Sequence, residues 1–163
     1  MAIHFFSEDV PFELLEKLRR KRWLKNFATA AGYQLKELNY VFCSDEYLYR
    51  MNMDYLKHNT YTDILTFDNS EKAFSLEGDI FISIDRVREN AKVHAQDEDS
   101  ELSRVLAHGL LHLMGYKDKS KEEASLMRTK EEEAIQLYRL NWLFHVKHSP
   151  YSKNRKGTVP RET

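Results

Sequence analysis

The stretch AHGLLHLMGYKDKS, residues 107 to 120, sets two histidines four positions apart in an apolar run that closes on a glycine and an aspartate. Four positions is a little over one helical turn, so His108 and His112 project from one face of a helix, one above the other. A pair so placed can offer two imidazole nitrogens to a single ion at about 2.0–2.1 Å without moving the backbone. Gly115 stands where a terminal glycine turns a chain back over its helix, which puts Asp118 in position to complete the ligand set. The alternative is a pair of ordinary core histidines. Among Leu106, Leu110, Leu111 and Leu113 their ring nitrogens would then each need a partner, at a cost of about 1–3 kcal/mol for every one left unsatisfied. A shared metal removes that cost, and the expected cofactor is one zinc ion or another divalent transition metal.

Read as H-x3-H-x2-G-x2-D, the spacing resembles the zincin pattern H-E-x-x-H-x-x-G-x-x-H with two departures. Gly109 occupies the place of the general-base glutamate, and glycine can neither take a proton from water nor hand one to a leaving amine. A zinc amidase or peptidase is therefore disfavoured. A metal that lowers the pKa of water toward ~7 still provides a nucleophile for a phosphodiester, where it also stabilises phosphoryl charge.

The elements that must position these residues can be read from periodicity and punctuation. AIHFFS (2 to 7) and LKELNYVFCS (35 to 44) read as strands, with a helix between them that Pro11 opens and Gly32 closes. DEYLYRMNMDYL (45 to 56) has helical apolar spacing. TDILTFD (62 to 68) and GDIFISI (78 to 84) read as two further strands pairing as a hairpin. DRVRENAKVHAQ (85 to 96) is helical, DSELSRVLAHGLLHLMG (99 to 115) is the histidine helix, and Ser120 with Glu123 forms a capping box opening a last helix to about residue 145. The order implies an α+β fold: one small mixed four-stranded sheet packed with about five helices.

The chain has 163 residues, 42% of them apolar, and a formal net charge of -1, which suits one domain over 1–146 followed by a basic tail, 147–163. No run approaches the roughly 18 apolar residues of a membrane span, and the N-terminus lacks a basic leader, so a cytoplasmic location without a membrane partner is expected. The single cysteine, Cys43, lies in a strand-like run and reads as a small buried hydrophobe. KLRRKRWLK (17 to 25) carries six basic residues. It is either a solvated helix face or a surface for phosphate.

His108-Gly109-x-Leu111-His112-Leu113-x-Gly115-Tyr116 resembles the H-G-x-L-H-L-x-G-Y-D-H signature of the YbeY family of metal-dependent bacterial endoribonucleases. MNMDYLKHNTYTDILTFD (51 to 68) is similar to the family's L-N-x-x-Y-R-x-x-D-x-P-T-D-V-L-S-F, and EGDIFISIDRVRENA (77 to 91) to its L-G-D-I-x-I-S block. The resemblance implies a zincin-like fold and single-strand-specific cleavage of ribosomal RNA in its maturation and in ribosome quality control, with the small ribosomal subunit as partner and no DNA. It places the family's metal histidines on His108, His112 and position 118, here Asp118, an acceptable ligand that favours harder ions. The family's functional arginine falls on Leu56, which cannot contact phosphate. Lys57 and His58 follow immediately and could supply the missing cation, or be ordinary loop residues. Asp63 either orients a ligand or substrate hydroxyl or caps a turn. Tyr55, Tyr61 and Tyr116 are candidates for stacking on unpaired bases, or packing residues. Gly109 and Leu56 together also allow a non-catalytic, metal-stabilised module that docks on the ribosome.

Overall fold

The structure, a computed structural model, describes residues 2–56 and 62–148. Lys57, His58 and Tyr61, and all but the first two residues of the tail, lie outside the described residues. The elements run β1 (Ile3–Ser7), α1 (Lys17–Ala30), β2 (Gln34–Cys43), α2 (Asp45–Leu56), β3 (Ile64–Asp68), β4 (Ser75–Ser83), α3 (Ile84–Val93), α4 (Glu98–Leu113) and α5 (Lys121–His148). The four strands form one mixed sheet in the order β1-β2-β4-β3, an α+β architecture. β2 pairs in parallel with β1 and β4, whereas β3 and β4 form the expected antiparallel hairpin, Ile64 opposite Ile82 and Phe67 opposite Asp79.

Alternation along the central strands divides the sheet between two apolar layers. Leu38, Tyr40 and Phe42 of β2 and Ile80 and Ile82 of β4 join the main core, together with residues of α1, α3, α4 and α5. Cys43, Leu65, Phe67 and Phe81 pack on the opposite face beneath Leu48 and Tyr47 of α2. Cys43 is fully buried, and burial pushes its thiol up to about 12, so it behaves as a small hydrophobe rather than a nucleophile.

Three boundaries differ from the sequence reading. α1 starts at Lys17, not at Pro11. The preceding residues instead cover the core: Leu14 is buried, Phe12 meets the Phe42 ring edge-on at 4.9 Å, and the chain bends at Glu16, whose φ is 59°. The Arg20 side chain donates to the Leu15 carbonyl at 3.0 Å, which holds this segment out of helical register. β4 begins at Ser75, three residues earlier than expected, because the start of β2 needs a partner there, Gln34 opposite Ser75. α5 continues to His148, past the expected end of the domain at 146.

α4 is the axis on which the rest packs. Its N-cap Asp97 accepts from the Ser100 amide at 2.7 Å, and Glu98, Asp99 and Glu101 complement the positive end of its dipole. A buried Tyr40 hydroxyl donates to the Leu106 carbonyl at 2.8 Å and fixes the helix over β2. Gly109 makes this approach possible. A Cβ there would lie 2.8 Å from Ile80 Cγ2 and 2.9 Å from Ile64 Cδ1, both buried side chains of the sheet.

Gly109→Ala should therefore lower stability. Overpacking typically costs about 1–3 kcal/mol, more than the about 0.5–1 kcal/mol that alanine contributes to an interior helix position. A urea titration finding the variant as stable as the parent would show that α4 does not sit this close to the sheet.

Candidate metal centre

The C-terminus of α4 sets the geometry of the centre. Gly115 adopts a φ of 102°, which a side chain disfavours, and the reversed chain returns its amides to the helix. The Tyr116 amide donates to the Leu111 carbonyl and the Gly115 amide to the His112 carbonyl, both at 3.0 Å, the paired bonds of a Schellman cap. Within three residues of the turn Asp118 lies over the histidines. α5 then opens on the expected capping box: the Ser120 amide donates to Glu123 at 2.9 Å and the Glu123 amide to Ser120 Oγ at 3.0 Å. Those bonds from Ser120 hold the Glu123 carboxyl below the usual carboxylate range.

His108 Nε2 lies 2.9 Å from His112 Nε2, and Asp118 Oδ2 lies 3.3 Å and 3.4 Å from the same two nitrogens. The surroundings identify what these atoms can do. His112 Nδ1 is 3.0 Å from the Tyr116 carbonyl, which can only accept, so the neutral ring carries its proton on Nδ1 and leaves a lone pair on Nε2. His108 Nδ1 faces the Glu131 carboxylate at 3.5 Å, which favours the same tautomer. In those tautomers two lone pairs and a carboxylate oxygen converge on one point. A divalent metal ion would satisfy all three donors at once. A tetrahedral zinc with bonds of about 2.0–2.1 Å spaces its donors about 3.3–3.4 Å apart, so the two contacts of Asp118 already fit and the histidine pair needs to spread by a few tenths of an ångström. Among the described residues these three form a group able to hold a metal ion. Both histidines are largely shielded and Asp118 is the more exposed member, 42% accessible, so the group opens toward solvent on the aspartate side.

Behind the histidines is an ionic network that motif spacing did not indicate. Arg104, one turn before His108 on α4, donates to Glu101 at 2.6 Å and to Glu131 of α5 at 3.0 Å, and its Nη2 lies 3.9 Å from Asp63 Oδ2 at the start of β3. Burial works against the Arg104 charge, but the hydrogen bonds and charges of Glu101 and Glu131 outweigh it and hold the guanidinium pKa above its ordinary value. The available signal was helical: Ser100, Arg104, His108 and His112 recur every four residues and share a face.

The other candidates separate in space. Asp63 faces Arg104 rather than the histidines. Tyr55 is 70% exposed and meets Phe67 edge-on at 6.4 Å, an accessible ring. Tyr116 is half-buried against the core, and its carbonyl is what holds His112. The basic run 17–25 is not a continuous cationic surface. Arg20 is 1% exposed and bonded to Asp99 and Ser103, and the Arg19 guanidinium lies 3.7 Å over the Tyr138 ring. Arg20 is a tie between α1 and α4, out of reach of phosphate.

Fold and site together define an α+β domain carrying a two-histidine, one-carboxylate group suited to a divalent metal. A sequence model of the family described as endoribonuclease YbeY matches residues 6–139. The endoribonuclease YbeY of Cytophaga hutchinsonii is 53% identical over 136 residues, spanning 83% of this chain and 95% of its own. That of Christiangramia forsetii is 45% identical over 136 residues, spanning 83% and 94%. A solution structure of a Thermotoga maritima protein has the same fold, with a TM-score of 0.63 over 97% of this chain and 99% of that one at 23% identity. The chain belongs to the endoribonuclease YbeY family.

If Asp118 is the third ligand, Asp118→Ala should weaken zinc binding by more than about tenfold, or about 1.4 kcal/mol, while Asp118→His should retain or tighten it. Competition titration against a chelator measures both. Alanine binding zinc as tightly as aspartate would move the third ligand elsewhere.

Proposed function

We propose that this member of the endoribonuclease family, a hydrolase acting on RNA, cleaves single-stranded ribosomal RNA at a zinc ion held by His108, His112 and Asp118. We propose further that it does so in ribosomal RNA maturation and ribosome quality control, on the small ribosomal subunit in the cytoplasm. The observation that carries the reading is the convergence of two imidazole nitrogens and a carboxylate oxygen, 2.9, 3.3 and 3.4 Å apart. A divalent metal bound there supplies Lewis acidity toward the phosphodiester and a water whose pKa is lowered toward ~7. The chain's own residues would hold and orient: the Tyr116 carbonyl keeps the His112 lone pair turned inward, and the open side at Asp118 admits the substrate. None of the described helices is long and apolar enough to cross a membrane.

Packing at Gly109 supports phosphodiester over amide chemistry. That position faces Ile64 and Ile80 across a gap too small for a methyl group, so a glutamate base could not be placed there by substitution. Tyr55 and Tyr61 are proposed to stack on bases, with the Tyr116 side chain in a packing role. Lys57 and His58 are proposed to supply the cation that Leu56 lacks, and Asp63 to steer it or a substrate hydroxyl. A single domain over 1–146 with a basic appendage accompanies this reading.

Leu56 at the family's arginine position favours one rival, a ribosome-docking module without catalysis. A labelled single-stranded RNA incubated with the zinc-loaded chain separates the two. Cleavage is expected, and His112→Ala or a chelator should reduce it by at least about 100-fold, or about 2.7 kcal/mol of barrier. RNA binding without cleavage by the metal-loaded parent would establish the rival. In the same assay Lys57→Ala should flatten the slope of log affinity against log salt by about 0.7 if it neutralises one phosphate.

A further inference from the structure

Glu131 places a carboxylate between α5 and α4 at 4% exposure. Its Oε2 lies 3.0 Å from Arg104 Nη1 and 3.5 Å from His108 Nδ1. That nitrogen is buried and makes no hydrogen bond within normal geometry. The Glu131 carboxylate faces this nitrogen a few tenths of an ångström beyond hydrogen-bond contact.

We infer that Glu131, held by Arg104, is a positioning residue for the metal centre: it accepts the His108 Nδ1 proton and thereby keeps the His108 Nε2 lone pair facing His112 and Asp118. The inference rests on the metal reading above and extends it to a residue 23 positions beyond His108 and on another helix.

The competing account is that Glu131 only neutralises Arg104. Glu101 already does this, meeting Arg104 Nη2 at 2.6 Å and Nε at 3.1 and 3.2 Å, so the arginine does not require a second buried acid. The dependence runs the other way. Burying a carboxylate is costly unless a cation is paired with it, and Arg104, 3.0 Å away, provides that cation. The two histidines are then fixed by different acceptors, His112 by the Tyr116 carbonyl on its own helix terminus and His108 by an anion from the next helix. An anion is the stronger acceptor and raises the basicity of the nitrogen opposite it.

The test combines zinc affinity with a direct reading of the ring. Parent and Glu131→Gln are titrated with zinc against a chromophoric chelator, and the imidazole nitrogen shifts of the metal-free parent are recorded by NMR. The variant should bind zinc about 10–100-fold more weakly, the usual effect of removing a partner behind a ligand. In the metal-free parent His108 should carry its proton on Nδ1, a feature that a merely structural Glu131 would not dictate. His108 protonated on Nε2 overturns the inference, whether or not the variant folds. Equal zinc affinity in a folded variant overturns it and leaves the His108, His112 and Asp118 site standing. No zinc uptake by the parent overturns both.

Discussion

The close approach of α4 to the sheet at Gly109 is the constraint from which the other features follow. With no side chain at that point, the helix rests on Ile64 and Ile80, and its apolar residues, Leu102, Val105, Leu106, Leu110 and Leu113, fill the core around them. His108 and His112 are thereby carried to the margin of the core, shielded but not sealed. The same contact removes the position at which a peptidase of related spacing keeps its base. Packing and chemistry are decided by one missing Cβ.

Electrostatics at the margin is balanced through the back of the site. Asp63, Glu101 and Glu131 gather round the Arg104 guanidinium, and these four residues come from the bend just before β3, from α4 and from α5. Three anions on one cation leave the surroundings of the histidines net negative, which suits a dication in front of them. Arg104 therefore joins the hairpin, the histidine helix and the last helix at the place where their relative positions affect a ligand.

Arg20 plays a comparable part at the start of α4. It is buried and bonded to Ser103, Asp99 and the Leu15 carbonyl, so it secures the N-terminal half of α4 to α1 and to the irregular segment before it. A buried charge left without these partners would cost several kcal/mol, so the pairing specifies where α1 must sit. In a run of six basic residues Arg20 is core architecture and Arg19 stacks on Tyr138, while Lys17, Arg22 and Lys25 face water.

Local regularities were legible in the sequence because they depend on neighbours a few residues away. The i, i+4 histidines, the glycine turn to Asp118, the capping box at Ser120 and the β3–β4 hairpin all follow from helical period, backbone freedom at glycine and strand alternation. The placement of α1 was not legible, since Pro11 promises a helix start and only the need of Phe12 and Leu14 to cover the sheet delays it to Lys17. Nor was the buried role of Arg20, which a linear reading cannot distinguish from Arg19 or Arg22. Glu131 and Asp63 are far in sequence from His108, one on the last helix and one at the start of β3, and nothing in their own surroundings marks them. Motif spacing specified which side chains could bind an ion, because a helix imposes that geometry by itself. Which charges stand behind those side chains depended on how β3, α4 and α5 pack together, and that is a property of the folded chain alone.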